Sequence, residues 1–205
     1  MASIITATTT SGLTQSADNS GVLQLASGTG NLVTVPSGTG TAVVNGVNSS
    51  IVSGTSVAST SGTSIDFTSI PSWVKRITVM FDAVSTSGTS NWLVQLGDSG
   101  GVENTGYLSV GTFLGATTGG TSYTAGFGLP IGNATHVAQG LIILSNLNGN
   151  GWTASGSLAG SGSAAGFIYS TSGAKTLSAT LDRVRITTAG GTDTFDAGSI
   201  NILYE

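Results

Sequence analysis

The chain has 205 residues, of which 93 are Gly, Ser or Thr (32, 30 and 31) and only 14 carry a charge, nine acids against five Lys and Arg. Ordinary domains hold about 7 % Gly and about 25 % charged residues, yet Leu, Ile, Val and Phe still sum to 51 here, above the roughly one-fifth below which chains stay disordered. The balance excludes several classes: the longest aliphatic run, Leu141-Ile142-Ile143-Leu144, is too short for a membrane helix, and the absence of Cys removes disulfides and thiolate metal sites.

Charge is spread unevenly. Residues 1–65 hold one charged side chain, Asp18, and the other thirteen lie between Asp66 and Glu205. The opening Met1-Ala2-Ser3-Ile4-Ile5-Thr6 has neither a basic region nor a long apolar core, so no secretory signal peptide is expected. Ser-Gly pairs then recur at Ser11, Ser20, Ser27, Ser37, Ser53 and Ser61, separating short β-branched pieces: Val22–Leu25, Leu32–Val35 and Ala42–Val44. Gly supplies positive-φ turn positions and Ser and Thr close turns locally, so residues 1–61 read as an extended β/turn segment. Strands this short are not stable alone, and the segment is expected to need partner chains for order.

Residues 62–205 read as an all-β domain, a β-sandwich of jelly-roll type. Its clearest strand is 74–84, with Ile77, Val79, Phe81 and Ala83 on one face and Arg76, Thr78, Met80 and Asp82 on the other. In 92–96, Trp92, Val94 and Leu96 point inward, whereas 137–144 is continuously apolar and predicts a strand covered on both faces. The apolar phase shifts between Leu177-x-Ala179-x-Leu181 and Val184-x-Ile186, which predicts a bulge near Asp182. The last strand aligns Ile200, Ile202 and Tyr204 and is expected within a sheet. Turns are expected at Ser87-Gly88, Gly119-Gly120, Asn148–Gly151 and Gly190-Gly191.

Candidate chemistry is sparse. Gly97-Asp98-Ser99-Gly100-Gly101 matches the nucleophile string of chymotrypsin-like proteases, in which a histidine must activate the serine. The one histidine, His136, follows Ser99 instead of preceding it, and Val102 stands where that family usually has proline. The competing reading of the string is a turn after the strand ending at Leu96, and a serine hydrolase using Ser99 is kept only as a remote alternative. The close carboxylate pairs, Asp98 with Glu103 and Asp193 with Asp196, are expected to be solvated or paired with Arg183 or Arg185 rather than to cleave a glycoside. No metal-ligand cluster and no phosphate loop is seen, so no cofactor is expected. Five basic residues against nine acids give no footprint for nucleic acid, and no membrane partner is expected.

Three aromatics remain as ligand-binding candidates: Trp152 in Asn-Gly-Asn-Gly-Trp, Tyr123 after Gly119-Gly120, and Tyr169 between Gly-rich stretches. On exposed loops such rings stack on sugars or anchor interfaces; otherwise they cap the core. Trp73 and Trp92 fall at strand positions and are expected in the core.

Longer strings carry a resemblance. Thr14–Leu25, TQSADNSGVLQL, resembles a segment of phage tail-fibre proteins. Asp66–Phe81, DFTSIPSWVKRITVMF, with Gln95–Gly101 after it, and the ending Leu181–Thr188 through Ile200–Glu205, resemble modules of phage structural proteins. The chain thus resembles tailed-bacteriophage virion proteins of the fibre type. That resemblance implies a non-enzymatic homotrimer located in the virion and assembled in the host cytoplasm. Residues 1–61 would fix it to capsid or tail proteins and residues 62–205 would project. The chain is short for a full tail fibre, which brings in a head fibre, a capsid decoration protein or a small tail component. A host-surface glycan-binding module is the alternative.

Overall fold

A computed structural model describes residues 3–8, 12–16, 23–24, 26–27, 30–31, 51–162 and 165–205. The chain divides into two units, Met1–Ser50 and Ile51–Glu205. In the first, β1 (Ser3–Thr8) pairs antiparallel with β2 (Gly12–Ser16) and parallel with β3 (Leu23–Gln24). β4 (Ala26–Ser27) and β5 (Gly30–Asn31) form a second short ladder. The strand expected at Val22–Leu25 coincides with β3, while those expected at Leu32–Val35 and Ala42–Val44 lie outside the described residues, as does Asp18.

The second unit is all-β, and its strands form two antiparallel sheets. The smaller sheet holds β8 (Ser64–Phe67), β10 (Trp92–Asp98), β11 (Gly101–Val102), β14 (Phe127–Leu129) and β18 (Arg183–Thr188). Its order is β11-β10-β18-β8, with β14 also on β10. The larger sheet takes β6 (Val52–Ser53), β7 (Val57–Ala58), β9 (Arg76–Thr86), β12 (Leu108–Leu114), β13 (Thr118–Tyr123), β15 (Val137–Asn148), β16 (Gly151–Gly162), β17 (Ala165–Thr176) and β19 (Phe195–Tyr204). Its order is β13-β12-β17-β16-β15-β9-β19-β6, and β7 also pairs β19. Residues 51–61, placed by the sequence with the N-terminal segment, therefore supply two short strands to this unit. The final strand lies inside a sheet, between β9 and the β6/β7 pair.

One core lies where the sheets face each other. Ile65, Trp92, Val94, Leu96 and Ile186 come from the smaller sheet, and Ile77, Val79, Ile142, Leu144, Leu158 and Ile200 from the larger. Period-two alternation explains β9 as far as Phe81, but Ala83 is exposed at φ +51° and Val84 takes the core position instead. The same register break recurs in the flanking strands at Gly140 (φ +143°) and Gly198 (φ +85°). A Cβ on Gly198 would overlap the carbonyl oxygens of Asp82 and Ala83, so only glycine lets the bulged strands approach there.

Two strands exchange the roles that their sequences predict. β10 is buried at every residue, since the connection after β13 crosses its outer face: a Cβ on Gly126 would sit 3.0 Å from Leu93, and Gln95 Nε2 donates to the Ala125 carbonyl at 2.8 Å. β15, predicted to be covered on both faces, buries only Ala138, Ile142 and Leu144 on one side and leaves Leu141 43 % exposed. The expected bulge near Asp182 is instead the connection from β17 to β18, with Leu177 and Leu181 buried on either side. Gly119-Gly120 is strand, not turn, because the Phe113 ring packs across the facing Gly119. The other three expected turns form at the ends of β9, β15 and β18.

Candidate functional site

All three candidate aromatics are strand residues with buried side chains. Tyr123 ends β13 and its ring lies against Gly128; Tyr169 sits mid-β17 with its ring on Gly160. In both places a Cβ on the glycine would overlap the ring, so Gly creates the slot that the aromatic fills. Trp152 stands opposite Lys175 and Asn146 and joins the core. None of the three is an exposed loop ring: Trp152 and Tyr169 join the core, and Tyr123 is buried outside that cluster. Trp92 is fully buried and donates Nε1–H to Thr86 Oγ1 at 3.1 Å. Trp73, expected in the core, is 53 % exposed in the turn before β9 and packs its ring 5.8 Å from that of Tyr204.

Tyr169 nevertheless borders a cleft. Its hydroxyl is hydrogen-bonded to His136 Nδ1. Burial pushes the phenol pKa up, so the phenol keeps its proton. The imidazole stacks 5.0 Å from the Phe167 ring, which meets Phe113 edge-on at 6.3 Å. Asn91, Thr121 and Asn133 complete the rim. Asn133 Oδ1 accepts from the Thr135 N–H and hydroxyl, both at 2.9 Å, which fixes the loop that carries His136. Partly buried aromatic edges beside amide and hydroxyl groups make a surface that can receive a polyhydroxylated ring.

The hydrolase candidates are separated. Ser99 is exposed in the turn between β10 and β11, as the turn reading expects, whereas His136 is held by Tyr169 and Phe167. Asp98 accepts from the Ser178 hydroxyl at 2.6 Å and the Gly100 N–H at 2.7 Å; the Ser178 bond, first of these, holds its carboxyl below the ordinary range. Glu103 is paired with Lys175 and accepts from the Ser178 N–H at 2.7 Å. Burial pushes its pKa up, but the Lys175 and Ser178 bonds outweigh that and the net shift is downward. Lys175, itself buried, also lies 5.4 Å over the Tyr107 ring, whose hydroxyl accepts from Leu96 N–H at 2.7 Å and donates to the Glu103 carbonyl at 3.0 Å. Asp193 accepts from Ser90 N–H and Asp196 from the Ser85 hydroxyl. Arg183 pairs with Asp182 and Arg185 with Asp66 through two hydrogen bonds, so the arginines take carboxylates other than the close pairs.

Among the described residues no group of three or more His, Asp or Glu could hold a metal ion, and no helix is long and apolar enough to cross a membrane. The cleft residues Phe113, Phe167, Asn91 and Asn133 gave no signal in the sequence, since their proximity depends on β12 pairing β17 across a long connection. No protein-family model, curated protein or solved structure matches the chain.

Proposed function

We propose that this chain is a non-enzymatic structural protein of a tailed-bacteriophage particle, a homotrimeric head-fibre, decoration or small tail-fibre-like component. Its N-terminal segment holds it to the particle, and the C-terminal unit, a jelly-roll-like β-sandwich, projects. One observation carries this reading. The strings that resemble phage structural modules, far apart in sequence, are partners in space: β8 pairs β18, β18 pairs β10, and β9 pairs β19. Shared strings that assemble into one paired framework are what a common module would leave, whereas similarity of composition alone has no reason to fall on partnered strands. The commitment of His136, Asp98 and Glu103 to structural partners supports the non-enzymatic part.

The test is location. Antibody against residues 51–205 is expected to decorate purified virions at one fixed structure, on head or tail. Particles free of the chain, from lysates that contain it, refute the reading. The second reading, glycan recognition at the host surface, draws on the cleft beside Tyr169, not on Trp152. Binding on a glycan array that is lost in Phe167→Ala and kept in Ser99→Ala would support it.

A further inference from the structure

Between Glu103 and Lys175 the sequence has no Asp, Glu, Lys or Arg. That stretch builds β12 to β16 and nearly all of β17, so one half of the larger sheet is without charge. Its outward face is defined by register. Leu108, Val110 and Leu114 of β12 sit beside Ala174, Ser172 and Ile168 of β17. β16 adds Thr153, Ser155, Ser157 and Ala159, and β15 adds Leu141 and Ile143. His136, the one titratable imidazole of the stretch, is buried on the other side.

The relief of this face is regular. Small Ser, Thr and Ala side chains on β16 and most of β17 form a trough about two strands wide. Apolar ridges border it: Leu108, Val110, Leu114 and Ile168 on one side, Leu141 and Ile143 on the other. Leu108 is 79 % and Leu114 62 % exposed in the single chain. Thr112 and Gln139 interrupt the ridges, but five large apolar side chains, Leu108, Val110, Leu114, Leu141 and Ile168, remain exposed on one uncharged sheet face.

We infer that the outward face of β12-β17-β16-β15 is the surface through which copies of this chain associate; the inference rests on the homo-oligomeric part of the function proposed above. Charge selects a second copy as the occupant. Around a three-fold axis three copies of the same residues converge, so any charge near the axis meets its like. The chain has a net charge of −4, and this face contributes nothing to it. Other strand surfaces do carry charge: Arg76 and Asp82 on β9, Asp66 on β8, and Arg183 and Arg185 on β18. Area agrees. Four strands at about 4.8 Å spacing, three of them twelve residues long, present roughly 700 Å² per copy, close to the roughly 800 Å² that each partner contributes to a standard specific interface.

The test uses the full chain and four substitutions, with mass measured by light scattering and folding checked by circular dichroism. Wild type is expected to be oligomeric, Ser157→Glu to run at the monomer mass with unchanged fold, and Thr89→Glu, exposed on the loop between β9 and β10, to stay oligomeric. Because the chain has no cysteine, Ser157→Cys gives an independent readout with almost no change in size. Its thiol is expected to react with maleimide at least tenfold more slowly in the oligomer than in unfolded chain, whereas Thr89→Cys reacts freely. A monomeric wild type overturns the homo-oligomer and the face together. An oligomer that survives Ser157→Glu, or that labels quickly at Ser157→Cys, overturns the face and leaves the homo-oligomer standing.

Discussion

The Lys175–Glu103 pair is unequal, and the inequality sets an order of stabilities. The Lys175 side chain is 6 % exposed and that of Glu103 21 %. Glu103→Ala leaves an ammonium group dry, with only the Tyr107 face beside it; stranding a buried charge in this way costs about 3–5 kcal/mol. Lys175→Met leaves a carboxylate that keeps the Ser178 N–H and reaches water, so its loss is about 1–2 kcal/mol. The double variant should recover about 1–3 kcal/mol relative to the sum, as coupled neighbours do. Urea unfolding followed by tryptophan fluorescence, at one fixed protein concentration, measures this directly, because Trp73, Trp92 and Trp152 all lie in the second unit and Trp152 faces Lys175. Lys175→Met equal to or worse than Glu103→Ala, or a strictly additive double variant, would refute the reasoning.

Three other outcomes are expected. The Asp98 carboxyl is depressed in the folded chain, so its contribution is complete above the ordinary carboxyl pKa of about 4 and is lost as pH falls through the lower folded value; thermal midpoints between about pH 4 and pH 2 should fall less steeply in Asp98→Asn than in wild type. At the bulge, Gly198→Ala should lower the denaturation free energy by about 2 kcal/mol or more, while Ala83→Gly, relieving φ +51°, should raise it by about 0.5–1 kcal/mol; no loss in the first or no gain in the second would exclude strain as the cause. Tyr169→Phe removes the hydrogen-bond partner of His136 Nδ1 and should cost about 1–2 kcal/mol in urea unfolding, with no loss meaning that water replaces the hydroxyl.

Local alternation made β9 and β19 legible, since Ile77, Val79, Ile200 and Ile202 are buried as their period requires. What decided β10 and β15 was not local. Whether Leu93 is buried depends on a connection some thirty residues later that crosses it, and whether Leu141 is buried depends on what covers a sheet face. A second cover usually shows as a continuous apolar run, but in β10 that run stops after Trp92-Leu93-Val94, and in β15 the run is present without the cover. The aromatics misled for a related reason. A ring beside glycines in sequence looks like a loop residue, but here glycines on neighbouring strands, Gly128 and Gly160, are the sockets of Tyr123 and Tyr169. Trp73 sits in an apolar string and is exposed, because Pro71 to Val74 closes a turn that directs it outward.

The β15-β16-β17 meander also bears on the order of folding. Its hairpins close between near neighbours, as at Asn148 with Gly151 and Gly162 with Ala165. The smaller sheet instead joins Trp92 to Thr188 and Phe67 to Val184, separations that synthesis must nearly complete before pairing begins. Loop-closure entropy favours the local ladder first. The uncharged strands are therefore expected to form while their cover is absent, so the face proposed for contact between copies is made before the rest of the fold. Slowing translation after residue 176 should then raise either early assembly or aggregation, depending on how many copies are present to meet.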